Sequence, residues 1–208
     1  GVTDVVGYNY LEARMLSDHK KFPERRFLVT EELPYYCGAE GNIRSYDTNN
    51  PWNIIAENDF IAGGFLWTGT DYIGEAGWPS HGWPAGLFDI CMVEKPRAAF
   101  HRAMWNDKPM VRIAVRDNAL DIDHGRDLWQ WPNMAAIWNF PRAYEGLVIE
   151  VNTTTNCFFF FKQKTAYEMG VRRTADYPNH TITWYLPYRR GTLVAKGING
   201  TDTVAVHE

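Results

Sequence analysis

Three short apolar runs near the start of the chain, each ending in polar or aromatic residues, set the tightest limit on its fold. The first is Asp4-Val5-Val6-Gly7-Tyr8-Asn9-Tyr10. Phe27-Leu28-Val29-Thr30 is the second and ends at Glu31-Glu32. The third, Ile61-Ala62-Gly63-Gly64-Phe65-Leu66-Trp67, ends at Thr68-Gly69-Thr70-Asp71. Runs that are continuous rather than alternating suit parallel strands covered on both faces. Residues 51–60 lie between the second and third runs and have helical spacing, with Trp52, Ile55 and Ala56 on one side. Pro96 opens a further helix that reaches Trp105.

From about Lys108 the texture changes to short alternating strands. Met110–Val115, Leu147–Val151, Thr181–Leu186 and Leu193–Gly197 are followed by an Asn199-Gly200 turn and Thr203–Val206. Asn-Gly between alternating runs predicts a hairpin, and several such strands predict a β-sandwich. The chain therefore divides into an α/β part, residues 1–107, and an all-β part, residues 108–208. One stretch breaks the pattern. Phe158-Phe159-Phe160-Phe161 is followed directly by Lys162-Gln163-Lys164. On an alternating sandwich strand half of those rings would face solvent.

The net charge of −4 and a pI near 5.9 exclude a basic nucleic-acid-binding surface. No apolar run approaches the ~20 residues that span a bilayer as a helix. Cys37, Cys91 and Cys157 are widely spaced and odd in number, which predicts neither a disulfide framework nor a zinc site. No ligand cluster implies a metal, and no cofactor is expected. Nine tryptophans and an aromatic share of 15% supply flat apolar faces of the kind that stack on sugar rings.

Chemistry is expected where carboxylates end parallel strands. Glu31 ends the second run, between Tyr10 at the end of the first and Trp67 at the end of the third. A carboxylate so placed can act as nucleophile or acid in glycoside cleavage. Tyr10 can donate a hydrogen bond that orients it, and Trp67 can floor a sugar ring. Each has a structural alternative: a surface Glu, a packed Tyr and a core Trp.

These residues carry a resemblance. The three runs, with Trp67-Thr68-Gly69-Thr70-Asp71-Tyr72, resemble the end of the catalytic barrel of glycoside hydrolase family 2, which includes β-galactosidases, β-glucuronidases and β-mannosidases. The β-galactosidase-like branch is the most similar. Gly82-Trp83-Pro84-Ala85-Gly86-Leu87-Phe88-Asp89 and Lys95–His101 resemble the closing loop and last helix. The second half, with Thr154-Thr155-Asn156-Cys157 and Trp184–Tyr188, resembles the immunoglobulin-like domain that follows. The resemblance implies an α/β plus all-β chain: residues 1–107 as strands six to eight of a (β/α)8 TIM barrel, and 108–208 as an immunoglobulin-like β-sandwich. It implies Glu31 as nucleophile, with Glu32 as fallback one residue on, and Tyr10 beside it. Trp67, His81 and Trp83 are implied to bind substrate, a carbohydrate.

The chain departs from the family in two ways. The family's acid/base glutamate sits in an Asn-Glu pair, which does not occur here, and a whole barrel takes about 250 residues. A C-terminal fragment of a retaining β-glycosidase acting on terminal β-D-galactosides is therefore expected. The alternatives are a β-glucuronidase- or β-mannosidase-type member, or a non-catalytic carbohydrate-binding or scaffold piece, which would need neither Glu31 at a strand end nor Tyr10 beside it. In addition, residues 158–169 resemble translated sequencing-adapter contamination, whereas their flanks keep the family pattern.

Overall fold

The computed structural model describes residues 3–32, 51–116, 134–157, 159–161, 170–177 and 180–208. It divides into two compact units, one running to Val93 and the other holding Glu94 onward apart from a short excursion that lies outside the described residues.

In the first unit, β1 (Val5–Asn9), β2 (Arg26–Glu32) and β3 (Ile61–Leu66) form a parallel sheet in the order β1-β2-β3. These are the three apolar runs. Helix α1 (Glu12–Lys21) joins β1 to β2, with Glu12 in its first turn and His19, Lys20 and Lys21 in its last, charges that complement the helix dipole. The expected helix over 51–60 is shorter: α2 spans Pro51–Ala56. Asn58 Nδ2 donates to the Ile54 carbonyl at 2.7 Å and satisfies one of the acceptors the helix end leaves open.

Met15, Phe27, Val29, Ile54, Ile55 and Ile61 form the core between the helices and one face of the sheet, with Val6 and Tyr8 packed against it. Because strand side chains alternate, Val5 points the other way and stays 46% exposed. The expectation of cover on both faces is thus met on one face only among the described residues. Tyr8 Oη donates to Asp18 at 2.6 Å, and Arg14 lies 3.4 Å from the same carboxylate, which ties α1 to the sheet.

Beyond β3 the chain forms a hairpin of β4 (Tyr72–Ile73) and β5 (Gly82–Trp83). The following residues run back beside residues 68–71. Leu87 and Phe88 donate their N–H groups to Thr68 and Gly69, and Gly86 donates to Asp71 Oδ1 at 2.8 Å. A Cβ on Gly86 would collide with the backbone of Thr70 and Asp71, so only glycine permits this approach.

The second unit opens with α3 (Pro96–Trp105), its Pro at the helix start. Its strands are β6 (Val111–Arg116), β7 (Met134–Ala135), β8 (Val148–Thr155), β9 (Phe159–Phe161), β10 (Thr181–Pro187), β11 (Ala195–Asn199) and β12 (Asp202–His207). They form antiparallel sheets in the orders β10-β8-β6-β7 and β12-β11-β9. The Asn199-Gly200 turn closes β11 on β12, with Gly200 at φ +62°. Val111, Ile113, Val115, Ile149, Val151, Ile182, Trp184 and Leu186 alternate onto one core, together with Leu193 and Ala195.

Strand β8 differs from the expected half-exposed pattern, since Ile149 through Thr155 are all buried. Its second face is polar and hydrogen-bonded: Thr183 donates to Asn152 Oδ1 at 2.7 Å and Asn152 Nδ2 donates to Glu150 at 3.1 Å. Buried polar groups are tolerated when paired in this way. Asn156 then clasps the strand that leaves α3, donating to the carbonyls of Asn106 and Lys108 and accepting from Met110 N–H. Of the unusual stretch 158–169, β9 pairs with β11; Phe158 and residues 162–169 lie outside the described residues. No helix among the described residues is long and apolar enough to cross a membrane.

Candidate active site

Adjacent residues of an extended strand face opposite ways, so Glu31 and Glu32 at the end of β2 occupy different surroundings. The register also slips there: Tyr8 pairs with Val29 but Asn9 with Glu31, and the β2–β3 pairing is irregular between Val29 and Glu32. Bulges of this kind re-aim side chains beside active sites.

Glu31 is half-buried and opens onto a cleft of about 320 Å³. Tyr10, Trp67, Tyr72, Glu75, Trp83 and Ala85 complete its walls. Tyr10 donates its hydroxyl to Glu31 Oε2 at 2.5 Å and its backbone N–H to the Glu31 carbonyl at 3.0 Å. It has a left-handed backbone, φ 57°, which costs a non-glycine residue about 1 kcal/mol. Strain of this type gathers at functional sites, where surrounding contacts hold it. Here it brings the ring over its partner carboxylate. Burial, followed by the hydrogen bond and charge of Glu31, raises the Tyr10 hydroxyl above its ordinary value, so it remains a donor.

Trp67 follows β3 directly, and its N–H donates to the Glu32 carbonyl at 2.9 Å. The Trp67–Thr68 peptide is cis. Its ring meets Tyr72 edge-on at 6.0 Å. Tyr72 in turn donates to Glu75 Oε2 at 3.2 Å. Burial first, with the hydrogen bond and charge of Glu75 and the charge of Glu31, raises the Tyr72 hydroxyl above its ordinary value. Trp83 donates Nε1 to the Glu75 carbonyl at 2.7 Å.

Of the sequence-predicted residues, Tyr10, Glu31, Trp67 and Trp83 thus meet in one cleft. Glu32 does not join them. It is 2% exposed, and burial, with the nearby Glu12 carboxylate second, pushes its pKa up to about 8. A Cβ on Gly64 would lie 2.6 Å from Glu32 Oε2, so the glycine makes room for this carboxyl. His81 also stands apart from the cleft walls: it is exposed and packs edge-on against Trp78 at 5.9 Å. Sequence reasoning missed Tyr72 and Glu75. The available signal was the spacing Tyr72-Ile73-Gly74-Glu75 beside Gly82-Trp83, which sets a short hairpin directly after the Trp67 strand.

No family model matches the chain. Individual relatives do. The chain is 28% identical to the β-galactosidase BoGH2A of Bacteroides ovatus, over 93% of this chain and 24% of that protein. It is 29% identical to a putative β-glucuronidase of Formosa agariphila, over 72% of this chain and 13% of that one. Among solved structures, a glycosyl hydrolase family 2 member from Bacteroides cellulosilyticus superposes with a TM-score of 0.82 at 27% identity, covering 98% of this chain and 27% of its own. The chain thus spans about a quarter or less of the length of these relatives. Along nearly its whole length it is similar to members of glycoside hydrolase family 2.

Proposed function

We propose that this chain is the nucleophile-bearing, C-terminal part of a retaining β-glycosidase that hydrolyses terminal β-D-galactosides. Residues 1–107 are the closing strands six to eight of a (β/α)8 barrel, and 108–208 an immunoglobulin-like sandwich. The observation that carries the reading is the Tyr10–Glu31 hydrogen bond at the C-terminal ends of parallel strands, in a cleft walled by Trp67 and Trp83. Active sites of such barrels lie at that end of the strands. The exposed Val5 on the uncovered sheet face suits a barrel interior completed by other strands.

In this reading Glu31 attacks the anomeric carbon while a second carboxyl, carried elsewhere in the parent protein, protonates the departing glycosidic oxygen. Retention needs the two carboxyls about 5–5.5 Å apart. The glycosyl-enzyme ester on Glu31 is then cleaved by water, which that second carboxyl deprotonates. Tyr10 fixes the Glu31 carboxylate in line through both attack and departure. Trp67 offers an apolar face to the sugar ring, and its own edge-on partner is Tyr72.

The test is Glu31→Gly in the full-length protein. Turnover of an aryl β-galactoside should fall to near background. Added azide should restore it on an activated substrate and release the glycosyl azide of opposite anomeric configuration. Glu32→Gln should cost far less. Retained activity in Glu31→Gly, or loss confined to Glu32→Gln, refutes the assignment of the nucleophile.

A further inference from the structure

We propose that Glu75, at the turn of the β4–β5 hairpin, is a specificity-determining residue that admits neutral sugars to the Glu31 cleft and turns away uronides. This rests on the glycosidase reading above and adds a substrate class to it. The relatives do not decide the matter, because one is a β-galactosidase and another a putative β-glucuronidase.

The hairpin fixes Glu75 in three ways. Its own backbone is left-handed, φ 51°, so the chain turns sharply at this residue. Its carbonyl is held by Trp83 Nε1 at 2.7 Å, across the hairpin. Its carboxylate accepts from Tyr72 Oη at 3.2 Å, and the Tyr72 ring packs edge-on against Trp67 at 6.0 Å. The carboxylate is therefore held on the cleft wall by the same rings that would stack on a sugar. Tyr72 occupies one acceptor position of a carboxylate that has about four, and sugar hydroxyls are donors of the right kind for the others.

Charge supplies the selection. Among the described residues lining the cleft, Glu31 and Glu75 are the ionisable carboxylates, and none is Lys, Arg or His. A sugar bearing a carboxylate would bring a third anion to this wall with no cation on it to answer. Glu75 is exposed, so at a separation of about 6 Å and an effective dielectric constant of about 40 each such pair disfavours binding roughly tenfold, and Glu31 and Glu75 together do so roughly 100-fold. A neutral hexoside meets no such penalty and can donate to Glu75 instead. A site that uses a buried or held carboxylate to read hydroxyls discriminates through the group it leaves unpaired as well as the one it binds.

The experiment compares kcat/KM for nitrophenyl β-galactoside and nitrophenyl β-glucuronide in the full-length protein, as wild type and as Glu75→Gln. Glutamine keeps an acceptor for Tyr72 and removes the charge. Wild type should prefer the neutral substrate by roughly 100-fold or more. In Glu75→Gln that ratio should fall at least tenfold, chiefly through a gain on the glucuronide. Added salt should narrow the wild-type ratio more than that of the variant, which keeps Glu31 alone. Thermal melts of the two proteins separate a folding defect from a change in selection. A ratio unchanged by the substitution overturns the inference and leaves the glycosidase reading standing; a wild type that prefers the glucuronide overturns the inference together with the β-galactoside substrate. Inactivity of the wild type on every β-glycoside overturns that reading, and the inference falls with it.

Discussion

Glu32 makes the stability of the parallel sheet depend on pH, in a direction opposite to that of an ordinary salt-bridged carboxylate. Its side chain is 2% exposed, beside the equally buried Glu12, and its pKa stands at about 8 against an ordinary 4.5. Below pH 4.5 the carboxyl is protonated in both folded and unfolded chains. Between 4.5 and 8 the unfolded chain releases the proton and the folded chain keeps it. The folded state then binds more protons, so stability falls as pH rises and levels off above 8. At about 1.36 kcal/mol per pH unit, the gap between 4.5 and 8 amounts to ~5 kcal/mol at most. Glu32→Gln keeps the shape and removes the titration. Amide hydrogen exchange at Phe27 and Val29, fully buried on β2, reports opening of this sheet. Comparing the variant with wild type at the same pH cancels the intrinsic exchange rate. At pH 5 the variant should differ from wild type by less than about 1 kcal/mol from this source, whereas at pH 9 it should be the more stable by several. An equal difference at both pH values would mean that Glu32 ionises as it does in water, and the reasoning would fail.

Two further outcomes follow from single hydroxyls. Tyr10→Phe removes the donor that fixes Glu31 and should lower kcat of the full-length protein about 100-fold with KM little changed; an unaltered kcat would deny Tyr10 a positioning role. Tyr188→Phe in the second unit should cost about 1–3 kcal/mol in urea melts, because the fully buried Tyr188 hydroxyl both accepts from Phe140 N–H at 3.0 Å and donates to its carbonyl at 3.2 Å.

The strands of the α/β part were legible because parallel strands write themselves as unbroken apolar runs: β1 and β3 fall within the runs that end at Tyr10 and Trp67, and β2 exceeds the run that ends at Glu32 by Arg26 alone. The end of α2 was not, because residues 57–60 continue its spacing while an asparagine side chain, a local polar competitor, closes the helix at Ala56. In the second half, alternation placed β6, β8, β10, β11 and β12 but misjudged the exposure of β8. A Thr and Asn ladder reads as a solvated face, and only its cross-strand pairing with Thr181 and Thr183 shows why it can be buried. Local periodicity carries information about one strand and none about which polar neighbour lies opposite.

The candidate site divides along the same line. Glu31, Tyr10 and Trp67 could be placed because each stands at the end of a strand, and strand order brings such ends together whatever the loops do. Period two also separates Glu31 from Glu32 in principle, but the register slip near Thr30 means that counting alone does not say which of the two faces the cleft. That decision is made by Tyr10, whose left-handed backbone directs both its hydroxyl and its N–H to Glu31. His81 and Trp83 lie two residues apart on one loop and were weighed alike, yet only Trp83 reaches the cleft. The difference is a single hydrogen bond: the indole N–H of Trp83 reaches across the hairpin to the Glu75 carbonyl, whereas His81 turns outward onto Trp78. A loop residue is placed by its backbone partner across the turn. Here that same contact also sets Glu75, which hairpin spacing rather than a strand end brings forward, against the cleft.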